Sequence, residues 1–203
     1  MAKKFYQVPL DTFDELLVEA GVLLNTFDPS NPVAPADEDI ITATTGGVNI
    51  SAVPTFSDMA EDVDNVMNNM KEFKHLDRWT CTLGFTALNQ SASVIKLSLG
   101  CADIDSATSK ITPRAELAQT DFSDVWWVGD KAGGGMVAVQ LKNALSTAGW
   151  VVQTGKNAKG QTTVTLTGHV SLATQNEVPM VVYSTDAPEE ESDSTDTEEE
   201  NNN

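Results

Sequence analysis

His75 and His169 are the only imidazoles among the 203 residues. A serine or cysteine nucleophile would need one of them as base and an acid to orient it, and neither histidine sits in a local signature of that kind. Each reads as a satisfied polar residue. Asp62 and Asp64 invite a calcium-loop reading, which fails on its own spacing: the fifth position is Val66, the required glycine is Met67 and the closing acid is Phe73. Gly133-Gly134-Gly135 and Gly155-Lys156 lack the Gly-x4-Gly-Lys-Ser/Thr order of a phosphate loop. Cys81 and Cys101 have no histidine spacing for zinc. Both lie in apolar surroundings and read as reduced core thiols. Carboxylates are plentiful, but among 30 acids adjacency in sequence does not identify a catalytic pair. The sequence predicts no enzyme, and it assigns no catalytic, cofactor-binding or metal residue.

Charge narrows the partners. The net charge is -18, with nine acids and no base in residues 186–203, which leaves 21 acids against 12 bases in residues 1–185. The acidic stretch has too little apolar surface to offset its ordering entropy and is expected to be a disordered tail after one domain over 1–185. Affinity for nucleic acid comes mainly from Lys and Arg on phosphates, so specific DNA binding is not expected. Lys3 and Lys4 resemble the start of a secretory leader, but Asp11, Asp14 and Glu15 interrupt any apolar run after them, and none is predicted. No stretch has the roughly 18 to 20 apolar residues of a membrane-spanning helix.

The elements that carry these residues are mostly strands. From Phe122 to Tyr183 the chain reads strand, turn, strand, turn, strand, and a last strand over VPMVVY. Val137, Val139 and Leu141 alternate with Met136, Ala138 and Gln140; Val164, Leu166 and Val170 oppose Thr163, Thr165 and Thr167. Gly155 to Gly160 is a hairpin turn and Ser146 to Gly149 a second turn, although AVQLKNAL also reads as helix. Upstream, Phe13, Leu16, Leu17 and Ala20 predict a short helix over 11–20, before a strand from Val22. Residues 27–39, with three prolines, are loop. Ile40–Thr44 and Val48–Phe56 suggest a hairpin turning at Gly46-Gly47. Leu76–Leu88 is a strand with Trp79, Cys81, Leu83 and Phe85 on one face. Ser91 caps a helix over Ala92–Leu99 that Gly100 closes. Residues 103–121 are connection.

Two groups of apolar residues are candidates for contact with a partner. Between Pro54 and Phe73, Met59, Val63, Val66, Met70 and Phe73 follow Phe56 at helical spacing, with Asp58 and Glu61 able to form a capping box. An amphipathic helix and a long loop presenting a Met-rich surface both fit this segment. Trp126 and Trp127, adjacent on a strand, face opposite ways: one serves the core, the other contact.

The ordered blocks PTFSDMAEDVDNVMNNMKEFKHLDRWTCTLGFTAL, SASVIKLSLGCADID, FSDVWWVGD, LKNALSTAGW, KGQTTVTLTGHVS and VPMVVY resemble the major tail tube proteins of long-tailed, non-contractile phages and prophages of Gram-positive bacteria. The resemblance covers about residues 5–185. It implies a mainly β, antiparallel sandwich or barrel-like subunit with a flanking short helix and a long inter-strand loop. It also implies hexameric rings whose inner sheets join around a lumen and stack into a tube. Such a chain belongs to the virion tail and is assembled in the bacterial cytoplasm. Its partners are itself, a tape-measure protein, a tail terminator, distal tail or baseplate proteins, and viral DNA in transit without specific binding. The long loop reaching neighbouring subunits corresponds to Pro54–Phe73. The body charge favours an acidic lumen that repels phosphates. A head–tail connector, tail terminator or other β-sandwich binding module is the alternative, and an adhesin-type sandwich a weaker third.

Overall fold

The computed structural model describes residues 8–186. About 48% of the described residues are strand and 10% helical. Strands β1 (Leu17–Leu24), β2 (Ile40–Thr42), β7 (Ser123–Lys131), β8 (Gly135–Ser146) and β11 (Met180–Asp186) form one antiparallel sheet, sheet A. Strands β3 (Thr44–Asp58), β4 (Lys74–Ala87), β9 (Val151–Gln153) and β10 (Gln161–Thr167) form a second, sheet B. The acidic residues after Asp186, read as a tail, lie outside the described residues. Asp186 itself is the last residue of β11 and pairs with Lys131 at 2.8 Å.

One strand joins the two sheets. β8 pairs with β11 as far as Leu141 and with β7 as far as Leu141 and again, past an irregularity, at Ala144; its end, Leu145 and Ser146, pairs with Thr167 and Leu166 of β10. Between these stretches Asn143 takes φ 46, a left-handed conformation that asparagine tolerates better than most residues. Asp124 fixes the bend by accepting from the Asn143 amide at 2.9 Å, and Asn143 Nδ2 donates to the His169 carbonyl. The AVQLKNAL run is therefore a strand that changes sheet, not a helix. Ser146–Gly149 is not a reversal either. Val151 resumes pairing along β10 at Thr163, after Ser146 has paired at Leu166, so the residues between are an outward bulge in one line of strand. Gly155–Gly160 is the hairpin turn expected, with Asn157 supplying the positive φ.

The main core lies between the sheets. Leu23, Val125, Trp127, Val139 and Leu141 of sheet A meet Cys81, Leu83, Phe85, Val164 and Leu166 of sheet B, as the period-two alternation requires. Helix α1 (Ala92–Leu99) packs Val94 into this cluster. Ser91 Oγ accepts from the Val94 amide, and Gly100 ends the helix, as the sequence predicts. The outer face of sheet A carries a smaller cluster, in which Leu24, Trp126 and Ala138 pack with Phe27 and Tyr183. Burial raises the Cys81 thiol above its ordinary pKa, which disfavours the reactive thiolate; neither cysteine is in a disulfide.

Three local expectations give way to long-range pairing. Residues 11–20 form no α-helix: a single 3-10 turn spans Leu10–Phe13 and then Leu17–Leu24 is strand. Phe13, Leu16 and Leu17 remain exposed, so the helical spacing corresponds to no buried stripe, and the ladder to β7 sets the conformation. Ile40–Thr42 and β3 do not form a hairpin. The first pairs with β1 and the second with β4, and Gly46 and Gly47, at φ 77 and 80, make an irregularity within β3. Side chains at those angles would be strained, so this glycine pair bends a strand where the sequence suggests a turn. Residues 103–121 contain a further small hairpin, β5 (Ala102–Asp105) with β6 (Lys110–Pro113). Arg114 clips it to the following turn through an ion pair with Asp103 at 2.9 Å and another with Asp121, whose carboxylate is 1% exposed.

Candidate assembly interface

The most unusual part of the chain is a two-stranded arm. Strands β3 and β4 stay paired from Val48↔Phe85 out to Asp58↔Lys74, whereas β10 accompanies β4 only from Ala87 to Thr82. Beyond Cys81 the pair leaves the body. At about 3.3 Å per residue, Val53–Asp58 extends roughly 20 Å. An isolated hairpin is marginally stable in water, so this one needs either internal clamps or cover.

Both faces of the arm follow from register. Cross-strand partners share a face. The core-facing row therefore runs Ile50/Leu83, Ala52/Cys81, Pro54/Trp79 and, across an irregularity between Thr55 and Phe56, Phe56/Leu76. Inside the body Leu83 and Cys81 of this row are buried, and Ile50 is half-buried. On the arm it continues with Phe56 58% exposed and Leu76 and Trp79 also open. The opposite row carries Val53/Thr80, Thr55/Arg78 and Ser57/His75, which is polar apart from Val53. The arm is thus an amphipathic ribbon whose apolar side continues the core but is left partly bare by the described residues.

The end of the arm is a turn-rich loop, which resolves the two readings of Pro54–Phe73. Pro54–Asp58 is strand, 59–70 is irregular and Lys71–Phe73 is a 3-10 turn. Asp62, Asn65 and Asn69 take φ near 64–67, left-handed positions that interrupt any helix at short intervals. Their side chains tolerate that region; this was the signal the helical spacing masked. Asp58 forms no capping box with Glu61. It ties the loop together instead, accepting from the Ala60 amide at 3.0 Å and the Asn69 amide at 2.7 Å, with Lys74 at 3.5 Å. These bonds, led by the Asn69 amide, hold its pKa below the usual carboxylate range. Met59, Val63, Met70 and Phe73 are exposed around this loop and Val66 is half-buried. The loop gathers them at one end of the molecule without aligning them on one stripe. Spacing within one segment could not identify Leu76 and Trp79 as members of the same surface, because their neighbours come from the opposite strand. Met67, 80% exposed, belongs to the same exposed end.

The tryptophans behave differently from the expectation. They do face opposite ways, but both are buried. Trp127 enters the main core and donates Nε1–H to the Ala20 carbonyl at 2.9 Å. Trp126 lies beneath Phe27, edge-on at 5.7 Å, and stacks with Tyr183 at 5.8 Å. The proline-rich segment after Phe27 lies over that side of sheet A, so neither indole is presented for contact.

The free face of sheet B has a different chemistry. Asn49, Ser51, Thr82, Gly84, Thr86, Thr163, Thr165 and Thr167 alternate with the core residues, and a shallow depression of about 490 Å³ lies against part of this face. In a chain with 30 acids, this face of the body carries no carboxylate.

The histidines come together in no constellation. His75 sits on the arm's polar row. His169 Nδ1 lies 3.2 Å from the Asn143 carbonyl and the ring meets Phe122 edge-on. Among the described residues, no group of three or more His, Cys, Asp or Glu could hold a metal ion. No helix among them is long and apolar enough to cross a membrane. Compared with protein-family models and with curated proteins, the sequence has no match.

Proposed function

We propose that this chain is a structural subunit that assembles with copies of itself into hexameric rings stacked as a tube, the tail tube of a long-tailed phage, through which DNA passes. The observation that carries the reading is the arm: a ribbon projecting from a β-sandwich with an apolar face that the other described residues leave exposed. Among the described residues, strands β2, β3 and β11 also keep an open edge. Open edges invite pairing with another chain, and head-to-tail contact around a rotation axis closes into a ring. The open sheet edges carry the ring contacts and the arm reaches a neighbouring subunit.

In this reading the free face of sheet B lines the bore. Its hydroxyl and amide side chains offer phosphates no cation to bind. The acidic lining expected from net charge is not carried by that face, so DNA slides past a neutral wall.

Negative-stain microscopy of the purified protein over a concentration series tests the proposal. Six-fold rings or tubes are expected. A chain that stays monomeric at every concentration, even with tape-measure and initiator proteins added, overturns it in favour of a connector module.

A further inference from the structure

The two ends of sheet B are opposite in charge. Thr162 of β10 lies across from Ala87 of β4, and Thr167 across from Thr82, so the Gly155–Gly160 turn sits where β4 finishes. The loop 59–70 at the end of the arm sits where β4 begins, since Asp58 lies across from Lys74. The 14 residues of β4 separate the two by roughly 45 Å at about 3.3 Å per residue. On the loop, Glu61, Asp62 and Asp64 are exposed, and no base stands between Met59 and Met70. On the turn, Lys156 and Lys159 are exposed. None of these five is in an ion pair among the described residues, whereas Asp58 is paired with Lys74. The turn lies in a stretch, 132–176, with three lysines and no carboxylate in a chain of net charge -18. The strand residues beside it, Thr44–Ser57 and Trp79–Ala87, add no carboxylate either.

We infer that these are the two halves of one contact: the acidic loop at the end of one copy's arm docks on the Lys156–Lys159 turn of a second copy. The inference rests on the self-assembly reading above and deepens it by naming the surface that receives the arm.

Placement, side-chain chemistry and preorganisation join charge in selecting this occupant. The halves stand at opposite ends of one sheet, so each joined copy still offers a free loop at one end and a free turn at the other. Such a heterologous contact propagates from copy to copy. Both halves set apolar side chains beside their charges: Met59, Val63 and Met67 on the loop, and Trp150 and Val151 one short strand from the turn, are exposed. Met and Trp favour protein contacts, whereas DNA affinity grows with the number of cations on phosphates, and two lysines are a small footprint for it. Both halves are also held before they meet. Asp58 ties the loop through the Ala60 and Asn69 amides, and the turn is closed by the Ala158 amide donating to the Gly155 carbonyl, with Asn157 left-handed. Little ordering is left to oppose binding, and the opposite charges fix which ends meet.

Charge reversal tests the contact. Glu61→Lys/Asp64→Lys gives a copy whose loop and turn are both basic; Lys156→Glu/Lys159→Glu gives one in which both are acidic. All four positions are exposed and none has a left-handed backbone, so thermal melts of both variants are expected to match the wild type. The assembly threshold, read by light scattering at low ionic strength, is expected to rise about tenfold or more for each variant alone. In the equimolar mixture it is expected to return to about the wild-type value, because every basic loop then finds an acidic turn and every acidic loop a basic one. A turn variant that assembles like the wild type overturns the inference. So does a mixture that assembles no better than its parts, which is the result expected if DNA or the acidic residues 187–203 occupy the turn, since neither depends on the loop. Tubes from the wild-type chain without recovery in the mixture would leave the tube reading standing and remove this contact. Recovery in the mixture without six-fold rings or tubes from any form would keep the contact and remove the tube reading.

Discussion

Replacing Phe56 with serine separates the cost of assembly from the cost of folding. Phe56 is 58% exposed in the free chain. An aromatic side chain presents roughly 200 Å², so somewhat more than half of that remains for a neighbour to cover. At about 25 cal/mol per Å² this amounts to roughly 3 kcal/mol, or on the order of a hundredfold in the association constant. Because the side chain is open before assembly, the stability of the isolated chain should change by no more than about 0.5 kcal/mol. The threshold concentration for assembly, read by pelleting or light scattering, is expected to rise about a hundredfold while the urea midpoint stays put. Leu83→Ala is the control in the opposite sense. Leu83 is in the same row of the sheet but fully buried, and its truncation should cost about 2–5 kcal/mol of folding stability. An assembly threshold for Phe56→Ser within threefold of wild type would refute the assignment of the arm's apolar face to an intermolecular contact.

Further expectations follow from particular contacts. A Cβ at Gly129 would lie 2.7 Å from the Trp127 ring, so Gly129→Ala should cost about 1–3 kcal/mol by urea denaturation; in a Trp127→Phe background the penalty should largely vanish, and strict additivity would show that the clash is not the cause. Arg114→Met leaves the buried Asp121 carboxylate without its cation and should destabilise by about 3 kcal/mol or more, with Asp121→Asn in the same chain recovering part of the loss in thermal melts. Asp58 has its pKa depressed by the Asn69 and Ala60 amides and by Lys74, so its contribution is fully present above the ordinary carboxylate range and is lost as pH falls through the lower folded value. Hydrogen exchange at Ala60 and Asn69 should therefore stay protected down to that range in the wild type, and lose protection at neutral pH in Asp58→Asn. Thr165→Arg puts a cation on the free face of sheet B. It should leave assembly unchanged but make tubes retain DNA at low salt, with retention falling as salt rises; unchanged DNA behaviour would argue that this face does not line the bore.

The alternation of Val137, Val139 and Leu141, the Leu83–Phe85 row, the capped helix from Ser91 to Gly100 and the Gly155–Gly160 turn were legible in the sequence. Each depends on neighbours within a few residues: period two for a half-buried strand, a hydroxyl three residues before an amide, an asparagine free to turn left-handed. The predominance of strand followed from these, and the sandwich was what the family resemblance implied. What only the tertiary structure decided was which strand pairs with which. Long-range ladders turned Leu17–Ala20 into strand against its helical spacing. They also split Ile40–Thr42 from β3 despite the glycine pair, and sent β8 across two sheets at Asn143. The candidate interface depended on the same step. Phe56, Leu76 and Trp79 form one surface only because cross-strand register sets Phe56 opposite Leu76 and Pro54 opposite Trp79, and because β10 stops at Thr82 and leaves that row uncovered. Trp126 shows the converse. Alternation along the strand predicted that one of the adjacent tryptophans serves contact, but Phe27 and Tyr183, distant in sequence, close over Trp126. Exposure is a property of what the rest of the chain leaves bare, and local spacing carries no information about that.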